Sequence, residues 1–249
     1  MNRKKVTAIL AARMSSSRLP KKTLFSLNGK PMLEHIINFL KFCENIDQII
    51  VATSIEKEDN EIEKFCLSKG CLCFRGSKEN VLSRYYECAK KYNSDFIVRL
   101  TADNPLVNPT LIDESIDMIK KKGFDYVTNM IHPTFPLGAY PVEIMTFRVL
   151  KENFNEYQDK FNRENVTYYR REFHKKYKVG EISASQNLNR QEWRLTVDYE
   201  EDFKLMEKIF EELYNESTYI KYTEIVKFLD NNQDLLKINE KHTPNQYPY

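Results

Sequence analysis

Short apolar runs alternate with amphipathic, helix-length segments through the first half of this chain, and that alternation constrains its fold most. Residues 6–10, 48–52, 71–74, 95–100 and 124–128 read as strands. Between them, residues 31–40, 60–69, 81–92 and 109–122 carry helical periodicity. Gly70 and Gly123 stand where helices end in a left-handed residue, and Pro31 and Pro109 stand where they begin. Strands alternating with helices of this length predict an α/β fold, a mostly parallel sheet with helices on both faces. The chain has 249 residues, enough for one such domain.

After residue 130 the pattern changes. Residues 131–141 are rich in Pro and aromatics and read as irregular. Residues 142–147 read as a strand, 163–175 as helical, 177–183 as extended, and 194–197 as a strand ending at Asp198. Helices are predicted over 200–213 and 222–231, and the tail 243–249 has no periodicity. The economical organisation is one domain over 1–249 with an inserted arm over roughly 130–190.

Composition excludes several classes. Lys+Arg 38 against Asp+Glu 36 leaves a net charge of +2, too little to argue for nucleic acid or an anionic membrane surface. No apolar run reaches membrane-spanning length, and a cytoplasmic location is the default expectation. The five cysteines have no zinc spacing and read as reduced thiols. His35, His132, His174 and His242 show no ligand spacing with one another.

Three constellations can carry chemistry. The loop after the first strand packs Arg13, Arg18, Lys21 and Lys22 around Ser15, Ser16 and Ser17, with Pro20 stiffening its exit. Ligands of open α/β sheets bind outside the carboxyl ends of strands, and a polyphosphate needs fixed cations, hydroxyls and uncrowded backbone. A solvated turn has the same composition, and neither the Walker spacing nor the Rossmann glycine fingerprint is present. The second is Arg99-Leu100-Thr101-Ala102-Asp103-Asn104, where an Asp just past a strand suits Mg²⁺ or, equally, a turn. The third is Asp198, which suits a metal or a helix N-cap. Asp103 and Asp198 facing the cationic loop together describe a triphosphate–Mg²⁺ site. Arg75, Gly76 and Ser77 follow the third strand, within reach of a base or ribose.

These segments together resemble the cytidylyltransferases that activate sugar acids, including the 3-deoxy-manno-octulosonate and acylneuraminate enzymes. The likeness is strongest to the spore-coat-polysaccharide branch. It runs through Ala11-Ala12-Arg13-Met14-Ser15-Ser16-Ser17-Arg18-Leu19-Pro20-Lys21-Lys22, Phe74-Arg75-Gly76-Ser77, Arg99-Leu100-Thr101-Ala102-Asp103 and Arg194-Leu195-Thr196-Val197-Asp198. The resemblance implies a nucleotide-diphospho-sugar transferase fold, Rossmann-like, with CTP and a sugar-acid-like acceptor as substrates and Mg²⁺ as cofactor. It further implies a homodimer formed through the inserted arm. Arg13, Arg18 and Lys22 would be catalytic. Ala11, Ala12, Arg13, Ser16, Ser17, Lys22, Arg75, Gly76, Ser77, Thr101 and Asp103 would bind nucleotide. Asp103 and Asp198 would hold the metal, and Asn129 and Glu143 are candidates for acceptor contact, with core or surface roles as the alternative. Two features depart from the family pattern: serine where relatives often carry glycine at 15–16, and no acidic residue just before Val142-Glu143. The rival readings are a transferase of the same fold using another nucleotide or a phosphorylated acceptor, a glycosyltransferase, and a non-catalytic nucleotide-binding dimer.

Overall fold

The computed structural model describes residues 3–243, apart from the side chains of residues 168–171. Its strands are β1 (Val6–Ala11), β2 (Ser26–Leu27), β3 (Lys30–Pro31), β4 (Gln48–Ser54), β5 (Leu72–Gly76), β6 (Phe96–Thr101), β7 (Tyr126–Thr128), β8 (Glu143–Thr146) and β9 (Val179–Glu181). Its α-helices are α1 (Met32–Leu40), α2 (Asn60–Ser68), α3 (Val81–Lys91), α4 (Pro109–Lys122), α5 (Phe147–Glu156), α6 (Lys160–Asn165), α7 (Glu200–Leu213) and α8 (Tyr222–Asn231). The main sheet has the order β5-β4-β1-β6-β8-β7-β9, and β2 pairs with β3 in a small ribbon. All the main-sheet pairings are parallel except those made by β8, which runs against both of its neighbours.

Period-two alternation splits each central strand between two cores. On β1, Val6, Ala8 and Leu10 enter one core while Ile9 enters the other. The first core takes the buried faces of α1, α2, α4, α7 and α8, and the second takes α3 and α5. Arg99 lies on β6 between Val98 and Leu100, so it shares a face with Ile97 on the α3 side of the sheet. That places a guanidinium near the carboxyl edge, where the first loop also emerges.

Gly123 closes α4 at φ 65, as its position in the sequence requires. Three stretches differ from the sequence expectation. The helix predicted over 163–175 is interrupted: Asp159 caps α6 by accepting from the Asn162 N–H at 2.9 Å, and Val166 then adopts φ 56. A β-branched residue at positive φ ends a helix, and residues Tyr168–Lys175 continue in 3-10 turns. The strand predicted over 194–197 is a single parallel bridge between Leu137 and Arg194. Its neighbours bond to loops instead, Leu195 N–H to the Leu137 carbonyl and Val197 N–H to the Asp103 carbonyl. Phe147 opens α5 rather than ending a strand, because the Thr146 hydroxyl caps the Val149 N–H at 3.3 Å.

The segment 130–190 is woven into the sheet, since it supplies β8 and β9. Of the tail read as aperiodic, residues 244–249 lie outside the described residues. Among the described residues no helix is long and apolar enough to cross a membrane, and all five cysteines are free.

Candidate active site

The loop after β1 owes its shape to three anchors. The buried Asp59 carboxylate accepts from the Met14 N–H at 2.7 Å, from the Ser54 N–H at 3.1 Å and from the Ser54 hydroxyl. The Thr23 hydroxyl donates to the Arg13 carbonyl at 3.0 Å. Lys21 takes a left-handed conformation, φ 64, and its N–H reaches the Met14 carbonyl at 2.9 Å. This turn leaves Lys21 exposed and sends Lys22 inward, where the residue is only 7% exposed.

The Lys22 ammonium donates to the Val197 carbonyl at 2.6 Å, to Asp198 Oδ1 at 2.8 Å and to Asp103 Oδ2 at 3.3 Å. One cation of the first loop therefore joins the carboxylates of the two later segments. The Thr101 hydroxyl donates to Asp103 Oδ1 at 2.6 Å, and Asn104 donates to that hydroxyl at 2.8 Å. Arg18 adds an ion pair to Asp198 at 2.7 Å, and Arg194 one at 3.0 Å. Burial alone raises the Asp198 carboxyl, but Lys22, then Arg18 and Arg194, hold it below the usual range.

Asp198 is not the cap of α7. Asp202 does that work, turning back to accept from the N–H groups of Asp198 at 2.9 Å and Tyr199 at 3.0 Å. The same buried Asp202 takes two bonds from Arg194, at 2.9 and 3.0 Å, and one from Asn239 at 2.8 Å. Arg194 is thus fixed by one carboxylate and presented to another. Sequence reading missed Asp202 and Arg194 as site residues, although the spacing of four between Arg194, Asp198 and Asp202 was visible.

Two cavities open on either side of this charge cluster. One, of about 250 Å³, is lined by Ala11, Ala12, Arg13, Ser16, Ser17, Lys22, Thr101 and Arg84 among others. The other, of about 390 Å³, is lined by Gly138, Glu143, Thr167, Arg194, Tyr199 and His242 among others. Arg18, Arg99, Thr101, Asp103, Asn165 and Asp198 line both. The wall between the two spaces is thus the cluster itself.

The remaining expected residues sit differently. Arg75 lies outside both linings: it donates to the Ser54 carbonyl at 2.9 Å, Asn60 at 2.6 Å, Glu63 at 2.8 Å and the Glu56 carbonyl at 2.8 Å, tying β5 to α2. Gly76 and Ser77 are likewise outside, and the Ser77 hydroxyl accepts from the Asn80 N–H at the entry to α3. Asn129 is buried and pins the 129–142 turn, donating to the Tyr140 carbonyl at 2.8 Å and accepting from the Val142 N–H at 3.0 Å. Glu143 lines the larger cavity, but its carboxylate is engaged by Arg99, the Tyr126 hydroxyl at 2.5 Å and the Thr167 hydroxyl at 2.6 Å. Four backbone and side-chain partners occupy Arg75 because it serves the β5 edge; local sequence gives no sign of that.

The family model described as cytidylyltransferase matches residues 7–242. The chain is 38% identical over 248 residues to an uncharacterized protein of Methanocaldococcus jannaschii, covering 98% of both chains. It is 29% identical to the spore coat polysaccharide biosynthesis protein SpsF of Bacillus subtilis, over 91% of this chain and 94% of that one. A solved cytidylyltransferase from Leptospira borgpetersenii superposes with a TM-score of 0.86 at 27% identity, covering 99% of this chain and all of the other, 100%. The match spans the cationic loop, both site carboxylates and the whole sheet that brings them together: the chain belongs to the cytidylyltransferase family and is a nucleotidyltransferase.

Proposed function

We propose that the protein transfers CMP from CTP to a hydroxyl of a sugar acid, releasing pyrophosphate, as a step in making a surface polysaccharide. The observation that carries this reading is the pair of cavities meeting at Asp103 and Asp198, which Lys22 bridges. In it, the smaller cavity takes the nucleotide and the larger one the acceptor, so the α-phosphorus lies at the shared wall. The acceptor oxygen forms a bond to that phosphorus, and the bond to the β-phosphate oxygen breaks. The electron pair leaves with pyrophosphate, and the hydroxyl proton passes to solvent. In-line phosphoryl transfer asks little covalent work of the protein beyond alignment and charge neutralisation. Arg13, Arg18 and Lys22 offset the charge of the leaving group, and Ser16 and Ser17 act as loop donors. Arg194, locked by Asp202, is a fixed cation for an acceptor carboxylate.

The donor set at the wall fits Mg²⁺. The Lys22 ammonium already bridges both carboxylates as a cation. Among the described residues no group of three or more His, Cys, Asp or Glu side chains gathers into an all-protein cage. Two carboxylates completed by substrate phosphates are a usual Mg²⁺ arrangement. Asp103 and Asp198 would hold the ion, which when bound supplies charge neutralisation at the α-phosphate.

Pyrophosphate release with each of the four nucleoside triphosphates, Mg²⁺ and a panel of sugar acids and sugar phosphates tests the reading. Release confined to CTP with a sugar acid supports it. Release only with another nucleotide or a sugar phosphate, or none from any pair, rejects it. A homodimer formed through segment 130–190 belongs to the same proposal, and sedimentation measures it.

A further inference from the structure

Arg84 is a cation of the smaller cavity that lies outside the loop motif and pairs with neither of the two site carboxylates. It sits on α3, is only 2% exposed, and lines the cavity beside Arg13. Its Nη1 donates to the Ser77 carbonyl at 2.9 Å, and among the described residues its buried Nε has no hydrogen-bond partner. Its stem lies across Gly76, where an added Cβ would come within 3.2 Å of the Arg84 Cγ.

A buried guanidinium normally faces a carboxylate, because a charge taken out of water without a counter-charge is destabilising. The acids nearby do not meet that need. Asp59 is occupied by Met14 and Ser54. Asp103 and Asp198 are bridged by Lys22, with Arg18 and Arg194 also on Asp198. Glu164 lines the cavity but is exposed, and among the described residues it makes no ion pair with Arg84. Burial lowers the pKa of the Arg84 guanidinium, and the neighbouring Arg13 charge adds to that effect. The two guanidiniums repel each other.

We infer that Arg84 is a polyphosphate-binding residue, its missing counter-charge being supplied by a phosphate of the bound nucleotide. This rests on the smaller cavity being the nucleotide site, but not on the identity of the base or the acceptor. It also gives Gly76 a structural reason: an added Cβ would crowd Phe74 Cε1 at 3.0 Å and Arg84 Cγ at 3.2 Å.

The test uses two probes on the full chain, inorganic tripolyphosphate and cytidine, measured by calorimetry and by thermal shift. Arg84→Met keeps the stem and removes the fork. Losing a charge-assisted contact predicts tripolyphosphate binding weaker by about 10- to 100-fold, with cytidine binding within about twofold of the parent. The ligand-free melting temperature is not lowered, since a purely structural arginine would lower it and an uncompensated one does not. Unchanged tripolyphosphate affinity in folded Arg84→Met overturns the proposal. So does a loss confined to cytidine, which would make Arg84 a base contact. If Arg84→Met does not fold, Arg84→Lys decides. Retained charge without the fork weakens tripolyphosphate severalfold with cytidine unaffected, and equal affinity overturns the inference. Tripolyphosphate bound through Arg84 in a protein that never turns over CTP would sink the proposed reaction and leave this assignment standing.

Discussion

Replacing Lys22 with methionine separates the charge of that residue from its bulk. The ammonium sits among Val197 O, Asp198 Oδ1 and Asp103 Oδ2, at 2.6, 2.8 and 3.3 Å. Removing one partner of a buried ion pair costs about 3–5 kcal/mol, because the other charge stays buried. Arg18 and Arg194 remain on Asp198, so the loss falls at the low end, about 3 kcal/mol. For a chain of this size that lowers the melting temperature by roughly 6–12 °C at pH 7.

The pH dependence carries a definite sign. Although burial pushes the Asp198 carboxyl up, Lys22 and the two arginines hold it down in the fold. The folded protein therefore favours the charged form, and that stabilisation is present above the unfolded carboxyl value of about 3.9. It disappears as pH falls through the lower folded value. The gap between parent and Lys22→Met is thus full at neutral pH and narrows below about pH 4. Circular dichroism melts from pH 3 to pH 7 measure it. Equal melting temperatures at pH 7, or a gap of the same size at pH 3, would refute the assignment of Lys22 as counter-ion to this pair. In the same variant kcat falls by about 10²–10³ if the ammonium stabilises charge in transfer.

Gly138→Ala tests the close approach behind the larger cavity. Gly138 has φ 84, and an added Cβ would meet Thr196 backbone atoms at 2.5 Å, so scanning calorimetry should register a loss of at least about 2 kcal/mol. A parent-like melting temperature would mean that the 137–138 and 194–196 segments do not pack this way. His35 is buried, donates from Nε2 to the Leu27 carbonyl at 2.7 Å, and packs between Phe210 and Tyr214. Burial lowers its imidazole below the usual value, so the unfolded chain binds a proton that the folded one refuses. Stability then drops as pH falls below about 6.5, and His35→Phe flattens that slope in chemical-denaturation curves between pH 7 and pH 5. An equal slope in both proteins counts against His35 as its source.

The sheet was largely legible because its signals are local. The alternation on β1, the apolar periodicity of α1 and the glycine closing α4 each act over a few residues. The cationic loop was legible for the same reason, as a dense cluster at a strand end. The split of the helix near Val166 was not, because it depends on a positive φ at a β-branched residue. Nor was the placement of β8 between β6 and β7, which reverses one strand in an otherwise parallel sheet. Arg75 illustrates the limit at the site: its place after a strand suggested a ligand, yet its partners lie on β4, on α2 and in the loop between them.

By itself the sequence determined a parallel α/β framework with a cationic loop and two candidate carboxylates at its carboxyl edge. Backbone pairing and hydrophobic periodicity dictate that much, since both are written in short stretches of chain. Only the tertiary structure decided that Lys22 bridges Asp103 and Asp198, 81 and 176 residues away. It likewise decided that Glu143 answers Arg99, while among the described residues the buried Arg84 Nε finds no partner. Charge compensation depends on distance and burial through space, and the order of residues along a chain carries neither.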